Sequence, residues 1–163
     1  MRRARAFGMR LLGNDIIEVA PDFIYENGVE MTSLEDLLGR SDYVSLCCDL
    51  NPTSRHLINH HTLSLMKPSA VLVNTARGLV VDEQALIEAL QVKRIGGAAL
   101  DVFEIEPLPQ DSPLKRIDNV LLAPHNANSS PAAWERVHLN TVRNLLVGLG
   151  IPCDDLEQRF STT

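Results

Sequence analysis

Long apolar runs are missing from this 163-residue chain. None approaches the roughly 18 residues that a membrane-spanning helix needs, so no membrane association is expected. Cysteine is scarce: Cys47, Cys48 and Cys153 are the three present. Their spacing fits no metal site and adjacent cysteines rarely bridge, which points to a reduced, cytoplasmic setting with no metal centre. Cys47 and Cys48 read as inert, buried free thiols. Positive charge is outweighed, 15 Lys and Arg against 21 Asp and Glu, and the net charge of -6 disfavours nucleic acid and anionic membranes as partners. Internal repeats and low-complexity tracts are absent. The opening Met1-Arg2-Arg3-Ala4-Arg5-Ala6 is basic but lacks the uncharged apolar stretch of a secretory signal. With no acidic residue before Asp15, an Arg-rich transit peptide stays open as the lesser alternative.

What is present is ordinary for one soluble domain, with 45% hydrophobic and 22% charged residues. The chain is organised around residues 70–106. Ala70-Val71-Leu72-Val73 is a short β-branched run halted by Asn74-Thr75-Ala76-Arg77-Gly78, which reads as a buried strand ending in a polar loop. Open α/β sheets bind ligands at such strand ends. Asp82-Glu83-Gln84 then opens a helix through Ala85-Leu86-Ile87-Glu88-Ala89-Leu90, whose apolar residues recur at helical spacing. A second buried strand follows from Gly96 to Phe103, so a strand-helix-strand unit with a parallel sheet is expected.

The runs NTARG, VDEQAL and GGAALDVFEIEPLP, followed one strand later by Pro124-His125, closely resemble the nucleotide-binding domain of the D-isomer-specific 2-hydroxyacid dehydrogenases. The resemblance extends from about Arg5 to about Gly148. It implies an α/β fold with a doubly wound, Rossmann-like parallel sheet and NAD as cofactor. It also implies that the chain starts inside the first helix, so that the family's first strand and G-x-G-x-x-G phosphate loop fall outside it. Residues 1–148 are then expected as a partial NAD-binding domain. Residues 149–163 would be a weakly ordered tail, a remnant of the return to an otherwise absent substrate domain. Full-length relatives commonly form homodimers and act on small 2-hydroxy and 2-keto acids.

Taken in order, Met9 to Asp15 reads as a strand with a carboxylate at its end. Asp15 there can accept from both ribose hydroxyls of NAD and would repel a 2′-phosphate, although a solvated-turn aspartate is the ordinary alternative. Val29-Glu30-Met31 is a short strand, and Ser33 caps a helix over 34–38 with Asp36 at the capping-box position. Tyr43 to Cys48 is the next strand. By resemblance, Cys48 and the loop Asp49-Leu50-Asn51-Pro52-Thr53 lie against the adenosine half of the cofactor, with Cys47 and Asp49 departing from the common pattern. A helix follows from His60 to Met66, before Pro68. His56, His60 and His61 suggest a metal cluster only by eye, with no ligand arrangement to complete it. Ser112-Pro113-Leu114 opens a helical turn, Asp118 to Ala123 forms the last strand, and a helix runs from Pro131 towards Leu146 with a stripe of Trp134, Val137, Thr141, Val142 and Leu145.

Reducing a 2-keto acid needs a hydride donor, a cation for the carboxylate and an acid for the carbonyl oxygen. Arg77 suits the cation role through its bidentate fork, and His125 suits the acid-base role. Glu106 beside that imidazole would favour its charged form. The resemblance supports Arg77, Glu106 and His125 as the catalytic set. It assigns Asp101 to the nicotinamide amide, places Thr75, Ala76 and Arg77 beside the nicotinamide ribose, and counts His125 and Asn128 among the cofactor contacts. Relatives often carry glycine where this chain reads Asn126-Ala127-Asn128-Ser129-Ser130. On spacing alone, Arg77 could instead pair with Asp101, Glu106 could face solvent and His125 could be a satisfied loop histidine. The expected function is NAD-linked hydride exchange between a 2-hydroxy acid and its keto acid, weak or absent in this chain alone. The alternative is a non-catalytic NAD(H)-sensing, corepressor-like module on the same fold.

Overall fold

Short β-branched runs separated by helical stripes leave the chain one economical arrangement, parallel strands joined by helical crossovers. The computed structural model describes residues 2–127 and 129–152. In order they form α1 (Arg2–Ala6), β1 (Leu11–Gly13), α2 (Pro21–Asn27), β2 (Val29–Met31), α3 (Leu34–Arg40), β3 (Tyr43–Leu46), α4 (His60–Leu65), β4 (Val71–Asn74), α5 (Glu83–Gln91), β5 (Gly97–Leu100), β6 (Val120–Leu122) and α6 (Pro131–Gly148). Tight 3-10 turns cover Gly78–Val80 and Pro113–Arg116.

Among the described residues the strands make two sheets. β1 pairs with β2 in parallel, and β3-β4-β5-β6 form a four-stranded parallel sheet in that order. The larger sheet is centred on Leu72, which is fully buried and stands in register between Val44 and Ala98. α5 closes over the core through Ala85, Leu86, Ile87, Ala89 and Leu90, and Asp82 caps it by accepting from the Ala85 N–H at 3.0 Å. Each fully buried leucine here contributes about 1.5–3 kcal/mol relative to an exposed one. The chain divides into two units at the His125–Asn126 junction.

Several boundaries differ from the sequence reading for identifiable reasons. β5 ends at Leu100 rather than Phe103: Asp101 N–H still donates to the Asn74 carbonyl, but Phe103 N–H donates to Glu106 Oε1 at 3.0 Å and Glu104 N–H to Glu83 Oε2 at 3.1 Å. Ser33 does cap α3, its Oγ accepting from Asp36 N–H at 3.1 Å. The Asp36 carboxylate is instead engaged by Thr32 and Arg40, which leaves the expected capping box half built. Helix α2 was not expected at all. Proline in its first turn and Gly28 at φ 62° after its last turn mark its two ends, a signal present in the sequence.

α6, in the second unit, runs to Gly148 and begins with Ser130 Oγ accepting from Ala133 N–H at 3.2 Å. None of its residues is buried, and Trp134, Val137 and Leu145 of the expected stripe are exposed. No described helix is long and apolar enough to cross a membrane. Asn128, Cys153 and most of the expected tail lie outside the described residues.

Candidate active site

Most of the candidate side chains cluster at the carboxyl ends of the larger sheet's strands. β4 delivers Asn74, whose buried side chain organises the following loop. Its Oδ1 accepts from Ala76 N–H and its Nδ2 donates to the Arg77 carbonyl, both at 3.0 Å. Thr75 and Arg77 are thereby held at the exposed rim, and the Arg77 guanidinium donates to the Ala76 carbonyl at 2.6 Å. The next residue must be glycine. A Cβ on Gly78 would lie 1.9 Å from the Phe103 carbonyl oxygen and 2.6 Å from the Glu104 nitrogen, so the Arg77 loop is pressed backbone to backbone against the loop after β5.

That second loop carries Glu106. Its Oε1 accepts from Phe103 N–H, and its Oε2 lies 2.7 Å from His125 Nδ1. The His125 imidazole and then the Phe103 N–H hold the Glu106 carboxyl below the usual carboxylate range. His125 follows β6 with φ at 54°, a left-handed conformation that histidine adopts more readily than most residues but that still costs of order 1–3 kcal/mol. Tertiary structure thus turns this imidazole onto the carboxylate. With Glu106 ionised and engaged at Nδ1–H, Nε2 is left to exchange a proton with another molecule.

Beside the pair is a cavity of about 580 Å³, walled largely by Phe103, Leu108, Leu122 and Pro124. Lys115 contributes a cation to it, and its Nζ donates to the Leu108 carbonyl at 3.3 Å and to Gln110 Oε1 at 3.2 Å. Sequence reasoning missed this lysine, because nothing in a turn sequence announces that it returns to the rim. Asp101 is buried at the end of β5 and close enough to Glu106 to oppose its ionisation, and its own N–H donates to the Asn74 carbonyl at 3.0 Å.

A second part of the rim belongs to β1 and β3. Asp15 is exposed after β1, beside a cavity of about 160 Å³ floored by Gly13, Val29 and Met31, and its Oδ1 accepts from Ile17 N–H at 3.2 Å. Cys47 and Cys48 are exposed, free thiols rather than core residues, since β3 ends before them. Partial burial pushes the Cys48 thiol up, with smaller upward pushes from Cys47, Asp15 and Asp49. Asp15 and Cys48, far apart in sequence, therefore share one negatively charged rim. His56, His60 and His61 diverge: the first two face Glu104 at 3.0 Å and Glu88 at 3.8 Å, while His61 N–H donates to the Asn59 cap.

These residues fit the two ends of a dinucleotide. Asp15 stands at a strand end beside a small cavity, and Asp101 lies near the Glu106–His125 pair. No G-x-G-x-x-G run occurs in the sequence for the phosphates between them.

Residues 1–127 match the family described as "D-isomer specific 2-hydroxyacid dehydrogenase, NAD binding domain". The chain is 48% identical over 145 residues to a glyoxylate reductase of Korarchaeum cryptofilum, covering 89% of this chain and 43% of that protein. It is 40% identical over 150 residues to an (S)-sulfolactate dehydrogenase of Chromohalobacter salexigens, covering 92% and 48%. Among solved structures, the NAD-complexed D-isomer specific 2-hydroxyacid dehydrogenase of Lactobacillus delbrueckii ssp. bulgaricus superposes with a TM-score of 0.80 at 29% identity, covering 94% of this chain and 50% of that one. The chain thus spans half or less of the length of these three proteins. With its parallel α/β sheet and its Glu106–His125 contact at the strand ends, the chain belongs to the D-isomer specific 2-hydroxyacid dehydrogenase family, as its NAD-binding domain.

Proposed function

We propose that this domain serves an NAD-linked oxidoreductase that exchanges a hydride between a small 2-hydroxy acid and its 2-keto acid. The observation that carries the reading is the 2.7 Å contact between His125 Nδ1 and Glu106 Oε2 on a rim that also bears Arg77. When bound, NADH supplies the hydride that the carbonyl carbon receives. His125 gives its Nε2 proton to the carbonyl oxygen in reduction and takes it back in oxidation. Glu106 stays ionised, holds the Nδ1–H and stabilises the imidazolium. Arg77 grips the substrate carboxylate with its planar fork. Asp15 would hold the adenosine ribose, with Cys48 against the adenosine half. Thr75, Ala76 and Arg77 would border the nicotinamide ribose, and Asp101 would take the carboxamide. His125 would complete the nicotinamide side. The acidic rim at Asp15 and Asp49 favours NAD over a 2′-phosphorylated cofactor. Residues 1–148 would act as the cofactor half of a cytoplasmic homodimer whose substrate specificity lies elsewhere.

The test is NADH oxidation by the purified chain with a panel of 2-keto acids, beside a His125→Gln variant. Slow turnover is expected, falling by about 10²–10⁴-fold in the variant, the usual worth of a general acid. Turnover that survives the substitution unchanged would overturn the role of His125. Binding of NADH without turnover in either protein would favour the sensing module.

A further inference from the structure

Next to the acid-base pair is a cluster that the proposed chemistry does not use. Glu83, the first residue of α5, and Glu104 exchange backbone hydrogen bonds: Glu83 N–H donates to Glu104 Oε1 and Glu104 N–H to Glu83 Oε2, both at 3.1 Å. His56 Nε2, a buried ring nitrogen, approaches Glu104 Oε1 to 3.0 Å without forming an aligned hydrogen bond. Two facing carboxylates are costly, and burial, followed by the charge of Glu104, pushes the Glu83 carboxyl up.

The His56 backbone is itself held in place. It has φ 50°, its backbone N–H donates to the Leu79 carbonyl at 2.9 Å, and its carbonyl accepts from Asn59 Nδ2 at 3.0 Å. Two residues on, Ile58 N–H donates to the Val80 carbonyl at 3.1 Å and Asp82 N–H to the Ile58 carbonyl at 2.8 Å. The His56 segment, the turn after Arg77 and the start of α5 are therefore stitched together; His56 and Glu83 reach the loop after β5 through Glu104, and the turn meets it at Gly78. That loop carries Glu106 two residues later, with Phe103 N–H already donating to it.

We propose that His56, Glu83 and Glu104 form a clasp that positions Glu106 against His125, acting through the backbone of residues 103–106. They are positioning residues, and the proposal rests on the reading of Glu106 and His125 as the acid-base pair. Glu106 itself is faced by His125, Phe103 N–H and, at longer range, Asp101, so its titration reports on its own placement.

The experiment is an NMR titration of the Glu106 side-chain carboxyl in the purified chain. In the unaltered protein its midpoint should lie below the usual carboxylate range. Glu83→Ala removes the acceptor for Glu104 N–H and should shift that midpoint upward. Glu83→Gln keeps an acceptor oxygen and should restore the original value, a rescue that general loss of packing would not give. A folded Glu83→Ala protein with an unmoved Glu106 midpoint overturns the clasp. Should that variant fail to fold, His56→Asn decides instead, an upward shift supporting the clasp and none overturning it. The readout needs neither cofactor nor substrate, so failure of the dehydrogenase reading would show separately, as no NADH binding and no turnover by a chain whose Glu106 still follows the clasp.

Discussion

The two sheets of the first unit use the same parallel pairing, yet only one stands on a core. The β3–β6 sheet buries Leu72, Leu86, Leu90 and Ile95 almost completely. Among described residues before Thr32, in contrast, only Gly13, Asn27 and Val29 are buried, while Phe7 and Tyr25 are 84% and 88% exposed. The proposed acid-base pair therefore rests on packed scaffold, and the proposed ribose contact rests on a thin ladder of two strands. The same kind of substitution should have unequal effects in the two.

The largest expected difference is in stability. Leu72→Ala empties the centre of the larger sheet and should cost about 2–5 kcal/mol, whereas Phe7→Ala should stay within about 0.5 kcal/mol. Urea unfolding of both variants with unchanged slope checks this, and equal losses would break the contrast. Next comes Gly78→Ala, whose Cβ would meet the Phe103 carbonyl oxygen at 1.9 Å. Because the obstacle is backbone, the two loops must part, at about 1–3 kcal/mol in the same assay. A neutral outcome would mean that the Arg77 loop is not pressed against the Glu106 loop.

Asp15→Ala should be milder and should act on binding rather than folding. Loss of hydrogen bonds to a charged group at an exposed rim should weaken NADH by about 10-fold, or ~1.4 kcal/mol, in isothermal titration. An unchanged affinity would return Asp15 to the role of a solvated-turn aspartate, which its bond to Ile17 N–H already supplies.

The same division explains what could be read from the sequence. Residues 70–100 are legible because local pattern and tertiary burial agree there. The β-branched run, the Asp82 cap and the helical stripe of α5 each make the same demand. The end of β5 was misjudged because Phe103 and Glu104 give their amides to carboxylates, a choice made by tertiary contact. α2 was overlooked because its signal lay in proline and glycine at its ends rather than in a buried stripe; only Asn27 of its residues is buried. The Glu106–His125 pair was legible as residue types, but its 2.7 Å contact depends on a left-handed His125 that no pattern reveals. The clasp was hidden for the same reason, its members lying 21 or more residues from their partners.

The smallest expected effect concerns the link between the two regions. Arg40 ends α3, a helix whose Leu38 is fully buried, and reaches back to β2. Its Nη1 and Nη2 donate to Glu30 Oε1 and Oε2 at 2.7 and 2.8 Å, and Nη1 also donates to Asp36 Oδ2 at 2.6 Å. Arg40 holds the Glu30 carboxyl low, and Thr32 followed by Arg40 does the same for Asp36. Both values are depressed by folding, so their contribution is complete above the ordinary carboxylate range and is lost as pH falls through the lowered values. All three groups are solvent-exposed, so salt should screen them as well. Arg40→Met should therefore lower amide protection factors in β1 and β2 slightly at neutral pH and low salt, and leave β4 and β5 unchanged. Acid or molar salt should erase the difference between variant and parent. Equal loosening of β4 and β5 would mean that the thin sheet and the core open as one unit, and the contrast between the two sheets would then describe burial without describing stability.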